Sequence, residues 1–479
     1  MTRSLCALAL ALAACNLNDQ GRDPPRDQLF FPADLAVDPS GRFAFVTNAN
    51  TDLRYNGGTI ATVDLQKARD LIDALRAGGD VPPDCRRDVL DPTIVECNEK
   101  GFILADRTIK IGNFAGGIVY QAQPDGGGRL FAVVRGDPSV VWSDVKPDED
   151  GTLRPTCGTV GFVPCDRDHR LSRSEGLDQE FPSEPFGLSL DPAYGLLYVA
   201  HFGGDGALSL FDVGGDGTRK PRLVDVATGF LRRSNDQASA AFGVAALPLD
   251  PRDPAPDPCQ PPYAYVTSRV SNDIAIATVR DSHRCGVLVP PMCTRIPGEV
   301  GRDPCLLERR SLDLSRVALA GLAEVESVRL DIRDIVFTPD GKNAFVVARQ
   351  PSALLVYDTA FLEGSSRRPR LLGVRAIEVC AEPTHVSVYQ RAGQIRALVT
   401  CFSSGQMFVV DPQIGAPVTV FDIGRGPNGV HVAGEATDSP LGVAVSFADQ
   451  NLVLVDLKPN SSTEYKVVLR IGFTRPISR

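Results

Sequence analysis

Positive charge is in short supply. The chain has 50 Lys and Arg against 59 Asp and Glu, a formal net charge of −9. That balance argues against nucleic acid as a partner and against a polybasic surface for anionic lipid. Motifs for common chemistries are also missing. The sequence has no Gly-x-Ser-x-Gly elbow, no Walker loop, no Gly-x-Gly-x-x-Gly opening a helix and no His-Glu-x-x-His. None of the 12 cysteines has Cys-x-x-Cys spacing, which excludes a zinc ribbon, a redox pair and a haem attachment site of the usual form. There is one Trp, Trp142, and only five His. Beyond the N-terminus no apolar run is long enough to span a bilayer.

What is present begins with an export signature. "MTRSLCALALALAACNLNDQ" places Arg3 before a short apolar run that ends in Leu12-Ala13-Ala14-Cys15, similar to a bacterial lipobox. In that reading residues 1–14 are a signal peptide, Cys15 is lipidated and residues 15–28 form a polar tether. The other reading is an ordinary secretory signal with an incidental Cys15. Asn16 does not match an inner-membrane retention signal, so an outer-membrane lipoprotein, periplasmic or surface-exposed, is expected. Ten cysteines then remain: Cys85, Cys97, Cys157, Cys165, Cys259, Cys285, Cys293, Cys305, Cys380 and Cys401. An even number in an exported chain reads as disulfides.

The rest of the chain is rhythmic. "FAFVTN" at Phe43 returns as "LFAVVR", "LYVAHF", "AYVTSR", "AFVVAR", "ALVTCF" and "VAVSFA". A strand ending in an Asp-Pro or Pro-Asp turn precedes several of them, as in "LAVDPSGR", "LSLDPAYG" and "IVFTPDGK". A third strand follows, as in "GTIATVDL" and "NLVLVDL", and then a looser fourth. Four short antiparallel strands per unit, repeated seven times, predict an all-β, seven-bladed β-propeller over residues 29–479. The blades run roughly over 29–113, 114–181, 182–237, 238–330, 331–380, 381–424 and 425–479. One four-stranded sheet cannot bury both faces alone, and a ring of them can. The last strand, "YKVVLRIGF", has two possible partners: its own blade or residues near Leu29.

The pattern "DPSGRFAFVTN…GTIATVDL" resembles the YVTN-type repeat of surface-layer-like and YncE-like seven-bladed propellers. The resemblance implies the architecture and leaves the function open.

The innermost strand of a propeller blade comes first, so the long segments 66–105, 146–165, 248–262 and 281–310 are expected mainly on one face. The first of them contains a predicted helix, "LQKARDLIDALRAG". Nearest-neighbour disulfides are expected. Cys259–Cys285 is geometrically possible on that face, and Cys380 and Cys401 meet on the opposite one.

The opposite face carries the blade-joining loops, which converge on the axis. Lining up the seven first strands gives two columns. One is Ala33, Gly116, Phe186, Phe242, Arg333, Thr384 and Asn428; the next is Asp34, Gly117, Gly187, Gly243, Asp334, His385 and Gly429. The expected ligand-binding pore mouth therefore comprises Asp34, Phe186, Phe242, Arg333, Asp334, Thr384, His385 and Asn428. Asp34, Asp334 and His385 are the candidates for holding a pore-bound cation or for acid–base work. The competing reading has Arg333 neutralising Asp34 or Asp334 around a water-filled channel. His169, His201, His283 and His431 are expected to be structural, and Trp142 to be packing.

The preferred reading is a binding scaffold on the cell envelope, held by lipidated Cys15, with an envelope protein or glycan as partner and no cofactor. The alternative class is enzymatic. A lactonase-like hydrolase would activate water with Asp34, Asp334 or His385 and polarise a carbonyl with Arg333. A dehydrogenase subunit would need a cofactor for which no attachment motif is visible.

Overall fold

The computed structural model describes residues 21–172, 180–203, 205–215, 219–231, 240–249, 262–270, 273–279, 307–313, 331–360, 371–391, 393–435, 437 and 439–474. The signal peptide, Cys15, Cys259, Cys285, Cys293, Cys305 and His283 lie outside the described residues.

The strands fall into seven sheets, each built on four antiparallel strands that follow one another along the chain, and the sheets are arranged in a ring: the protein is a seven-bladed β-propeller. The first strands, Pro32–Val37, Ala115–Ala122, Pro185–Asp191, Ala241–Ala246, Ile332–Phe337, Pro383–Arg391 and Pro427–Ala433, line the axis and contact one another in sequence. The recurrent apolar beat is the second strand of each blade. All six residues of Phe43–Asn48 and of Leu196–His201 are buried. A strand buried on both faces needs near-continuous apolar or β-branched residues, which is why the beat was legible.

The turn chemistry is equally local. In "DPSG" the Asp38 carboxylate accepts from Ser40 N at 3.0 Å and from Phe43 N at 2.6 Å, and Gly41 takes φ 70°. "TPDG" repeats the arrangement, with Thr338 Oγ1 donating to Asp340 at 2.6 Å and Gly341 at φ 66°. The left-handed position requires the glycine.

The first-blade insertion is more than surface decoration. Leu65–Arg76 is the expected helix, capped by the Asp64 carboxylate, and it buries Leu65, Ala68 and Ile72 in the core shared by blades one and seven. Beyond it, Val95–Cys97 adds in parallel to Val467–Ile471, the last strand of the ring. Cys85–Arg87 pairs with Val95–Cys97 in turn, so blade seven has six strands. The last strand thus pairs within its own blade, one of the two expected options, and its outer edge is covered by the insertion rather than by residues near Leu29.

The described disulfides are Cys85–Cys97, Cys157–Cys165 and Cys380–Cys401, each a nearest-neighbour pair. Segment 146–165, expected as one long segment mainly on one face, contains a strand of the blade instead. Leu153–Thr156 and Arg170–Leu171 both pair with Ser139–Pro147, and the Cys157–Cys165 excursion interrupts that outer strand. The excursion packs on blade one, where Cys165 N donates to Lys110 O at 3.3 Å. Trp142 is packing, as expected. It is buried, stacked on His169, and its Nε1 donates to Asp168 O at 3.0 Å.

His201 is fully buried in blade three, with Nε2 2.8 Å from Ser209 Oγ, and burial pushes its pKa down to about 4. A base with a depressed folded-state pKa contributes stability above its unfolded value near 6.5 and loses it as pH falls towards 4. Asp191, pushed up to about 7 by burial, acts in the opposite sense, gaining stability as pH falls through that value. Comparing His201→Asn with the parent isolates the histidine. Between pH 7 and 4.5 urea titration should show the parent losing about 2 kcal/mol more than the variant. Parallel losses would mean that His201 is solvated.

Candidate functional site

Six of the seven first strands begin with the same left-handed turn. The residue before it is left-handed at Phe31, Phe114, Glu184, Asp331 and Glu382, with φ between 41° and 57°, and at Gly426 with φ 63°. The carbonyl of that residue accepts the N–H of the residue at or just past the end of the second strand. The seven donors are Ala49, Arg135, Phe202, Arg269, Arg349, Phe402 and Phe447, with Ala240 as the acceptor in blade four. A register shift then follows in all seven first strands. Such bulges bend a strand and re-aim its side chains, here at the axis.

Threonines of the beat join neighbouring blades. Thr47 Oγ1 receives Asp34 N at 3.2 Å and donates to Gly116 O of the next blade at 2.8 Å. Thr400 Oγ1 likewise receives His385 N at 3.3 Å and donates to Asn428 O at 2.8 Å. Asn428 closes the ring, its Nδ2 donating to Ala33 O at 2.7 Å.

Of the two expected columns, all but Gly243 and Gly429 line one axial cavity of about 570 Å³. Asp34, Phe186, Phe242, Arg333, Asp334, Thr384, His385 and Asn428 all contribute to its wall. Their chemistry differs from the expectation. Asp34 Oδ2 accepts Ile118 N of blade two at 3.2 Å, and Asp334 Oδ2 accepts Val386 N of blade six at 3.0 Å. Asp334 Oδ1 also accepts Ile335 N at 2.9 Å. Both carboxylates are therefore staples between successive blades. Gly429 leaves the space that the Asp34 side chain occupies.

No hydrogen bond links Asp34, Asp334 and His385 to one another among the described residues, and His385 Nδ1 has no partner. Nor do any three His, Cys, Asp or Glu side chains group to hold a metal ion among those residues. Burial pushes Asp334 up, with Asp34 adding to the rise and His385 opposing it. His431, expected to be structural, also lines this wall, and burial pushes its pKa down. It lies two residues beyond Gly429 on the same strand.

Arg333 neutralises neither Asp34 nor Asp334. Its Nη2 donates to Asp331 at 2.8 Å, two residues upstream. Phe186 and Phe242 pack ring to ring with centroids 4.7 Å apart. Arg135 lies 4.5 Å over Phe186, and Arg269 and Arg333 lie 5.1 and 5.2 Å over Phe242. The flanking acids pair across blades: Arg135 with Glu184 at 3.2 Å and Arg269 with Asp331 at 3.5 Å. The opposite side of the mouth is aromatic, Phe31 and Phe402 both packing on Phe447. Below the mouth the wall becomes aliphatic, with Val119, Leu188, Val336 and Val388.

Architecture and cavity define a seven-bladed propeller with an open, mixed polar and aromatic mouth. No family model and no curated protein matches the chain. Among solved structures, Kuenenia stuttgartiensis hydrazine synthase is similar with a TM-score of 0.50 and 12% identity, over 91% of this chain and 97% of that one. A Lactobacillus plantarum protein gives 0.47 at 12% identity, over 82% and 85%. The periplasmic gluconolactonase of Pseudomonas aeruginosa gives 0.45 at 14% identity, over 82% and 86%. Identities this low speak to the fold alone.

Proposed function

We propose that this protein is an envelope-anchored binding propeller of YVTN-type kinship, and that its axial cavity takes a small ligand without turning it over. The observation that carries this reading is the commitment of Asp34 and Asp334 to the N–H groups of the next blades. A hydrolase needs a base free to reach a water in the bound state. Here both candidate carboxylates hold neighbouring blades together through Oδ2, and Asp334 Oδ1 is taken by Ile335 N. The cavity remains open and partly aliphatic, which suits binding. Lipidated Cys15 would hold the ring to the outer membrane, leaving the faces of the ring for an envelope protein or glycan. Among the described residues no three His, Cys, Asp or Glu side chains group to hold a cation, and the lactonase reading is left with His385 as its candidate base.

The test uses the full-length protein. A panel of small metabolites, sugar lactones included, is followed by unfolding temperature and, in parallel, by product formation. Stabilisation without consumption is expected. Lactone turnover that disappears in Asp334→Asn would replace this reading with the hydrolase. Metabolic labelling with an alkyne fatty acid, lost in Cys15→Ser, checks the anchor.

A further inference from the structure

Three guanidiniums crowd one side of the mouth. Arg333 is 8% exposed, lines the cavity, and its Nε has no hydrogen-bond partner. Arg269 shares Asp331 with it. Arg349 is close enough to disfavour the charge on Arg333, and its own acid, Glu382, stands 4.0 Å away at the half-exposed rim. Burial and these like charges push Arg333 down to about 10. Arg269 and Arg333 thus share the single carboxylate of Asp331, at a site where desolvation magnifies any imbalance.

We propose that the axial mouth binds a small organic monoanion, its carboxylate seated on Arg333 and its uncharged body directed down the aliphatic wall. The inference rests on the reading of the cavity as a ligand site. A planar guanidinium with an unsatisfied N–H matches a carboxylate. The ring of Phe242 holds Arg333 in position from one side. A second negative charge is disfavoured, because Asp34 and Asp334 line the same cavity.

The experiment titrates the full-length protein with benzoate, benzamide and terephthalate by calorimetry, at low and at raised salt. Benzoate should bind at least tenfold more tightly than either analogue, and more weakly as salt rises. Arg333→Gln should weaken benzoate about tenfold to a hundredfold, and Arg333→Lys less. Should Arg333→Gln fail to fold, Arg333→Lys carries the test, and Arg154→Gln, on the outer strand of blade two and outside the cavity, should retain the affinity. Equal binding of benzamide and benzoate overturns the anion inference and leaves the cavity a ligand site. Benzoate affinity unchanged in the Arg333 variants, or lost equally in Arg154→Gln, overturns it as well. No binding of any of the three also overturns it, and only an equally silent metabolite panel would then remove the underlying reading.

Discussion

Replacing Glu96 by Ala is expected to destabilise the protein by about 3 kcal/mol, at the lower end for breaking a buried ion pair. Glu96 is 2% exposed at the centre of the latch that joins the first-blade insertion to the last strand. It accepts from Arg86 Nε and Nη2 at 3.2 and 3.0 Å, from Arg470 Nη1 at 3.4 Å and from Thr474. Its removal leaves a mostly buried Arg470 with Asp88, 2.6 Å away, as its remaining carboxylate, which keeps the loss from being larger. Glu96→Gln preserves the shape and should cost about 1 kcal/mol. Guanidinium denaturation midpoints at unchanged slope would report the difference. Hydrogen exchange should locate it, with the amides of Val467–Ile471 losing protection first. If Glu96→Ala were as stable as the parent, the ring would be closed by axial contacts such as Asn428 to Ala33 and the latch would be incidental.

That latch illustrates what a sequence of this kind conceals. Glu96 and Arg470 are 374 residues apart, and Val95-Glu96-Cys97 is too short to show alternation. Its role exists only once the ring has closed. The beat of the second strands was readable for the opposite reason: burial on both faces and Asp-Pro-x-Gly turns are local chemistry. The two first-strand columns were also readable, because all seven repeats align there. Two further signals were available and missed. The N–H donor position at the end of each second strand is Arg or Phe in six of seven repeats: Arg135, Phe202, Arg269, Arg349, Phe402 and Phe447. That column supplies the arginines that surround Asp331. His431 could have been placed by alternation, since residues two apart on a strand share a face and Gly429 already belonged to the axial column. The role of the carboxylates was not readable at all. Nothing local distinguishes an Asp that binds a cation from one that accepts the N–H of the next blade.

The glycines of the axial column lead to the remaining prediction. Gly187→Ala should destabilise the ring by about 2–3 kcal/mol, the upper part of the usual range for overpacking. A Cβ at Gly187 runs into the Phe242 carbonyl oxygen of the next blade and lies 3.2 Å from Gly243 Cα, both of them backbone atoms. At Gly243 the added carbon would lie 2.9 Å from Arg333 O, a similar obstruction one blade further on. Gly117 is milder, because its nearest obstacle is a Leu188 methyl at 2.7 Å that can rotate aside. Gly215, whose nearest neighbour is Pro192 O at 3.7 Å, serves as the control and should change stability by less than about 0.5 kcal/mol. Thermal unfolding of the four variants should therefore rank Gly187 and Gly243 as most costly, then Gly117, then Gly215. The ranking bears on the site as well as on the fold. Phe186 and Phe242 flank these glycines and carry the guanidiniums on their rings, so a ring that absorbs Gly187→Ala without loss would not hold its blades closely enough to fix that wall. A loss of the expected size would show that the spacing of blades three, four and five is set by backbone contact, and with it the position of Arg333.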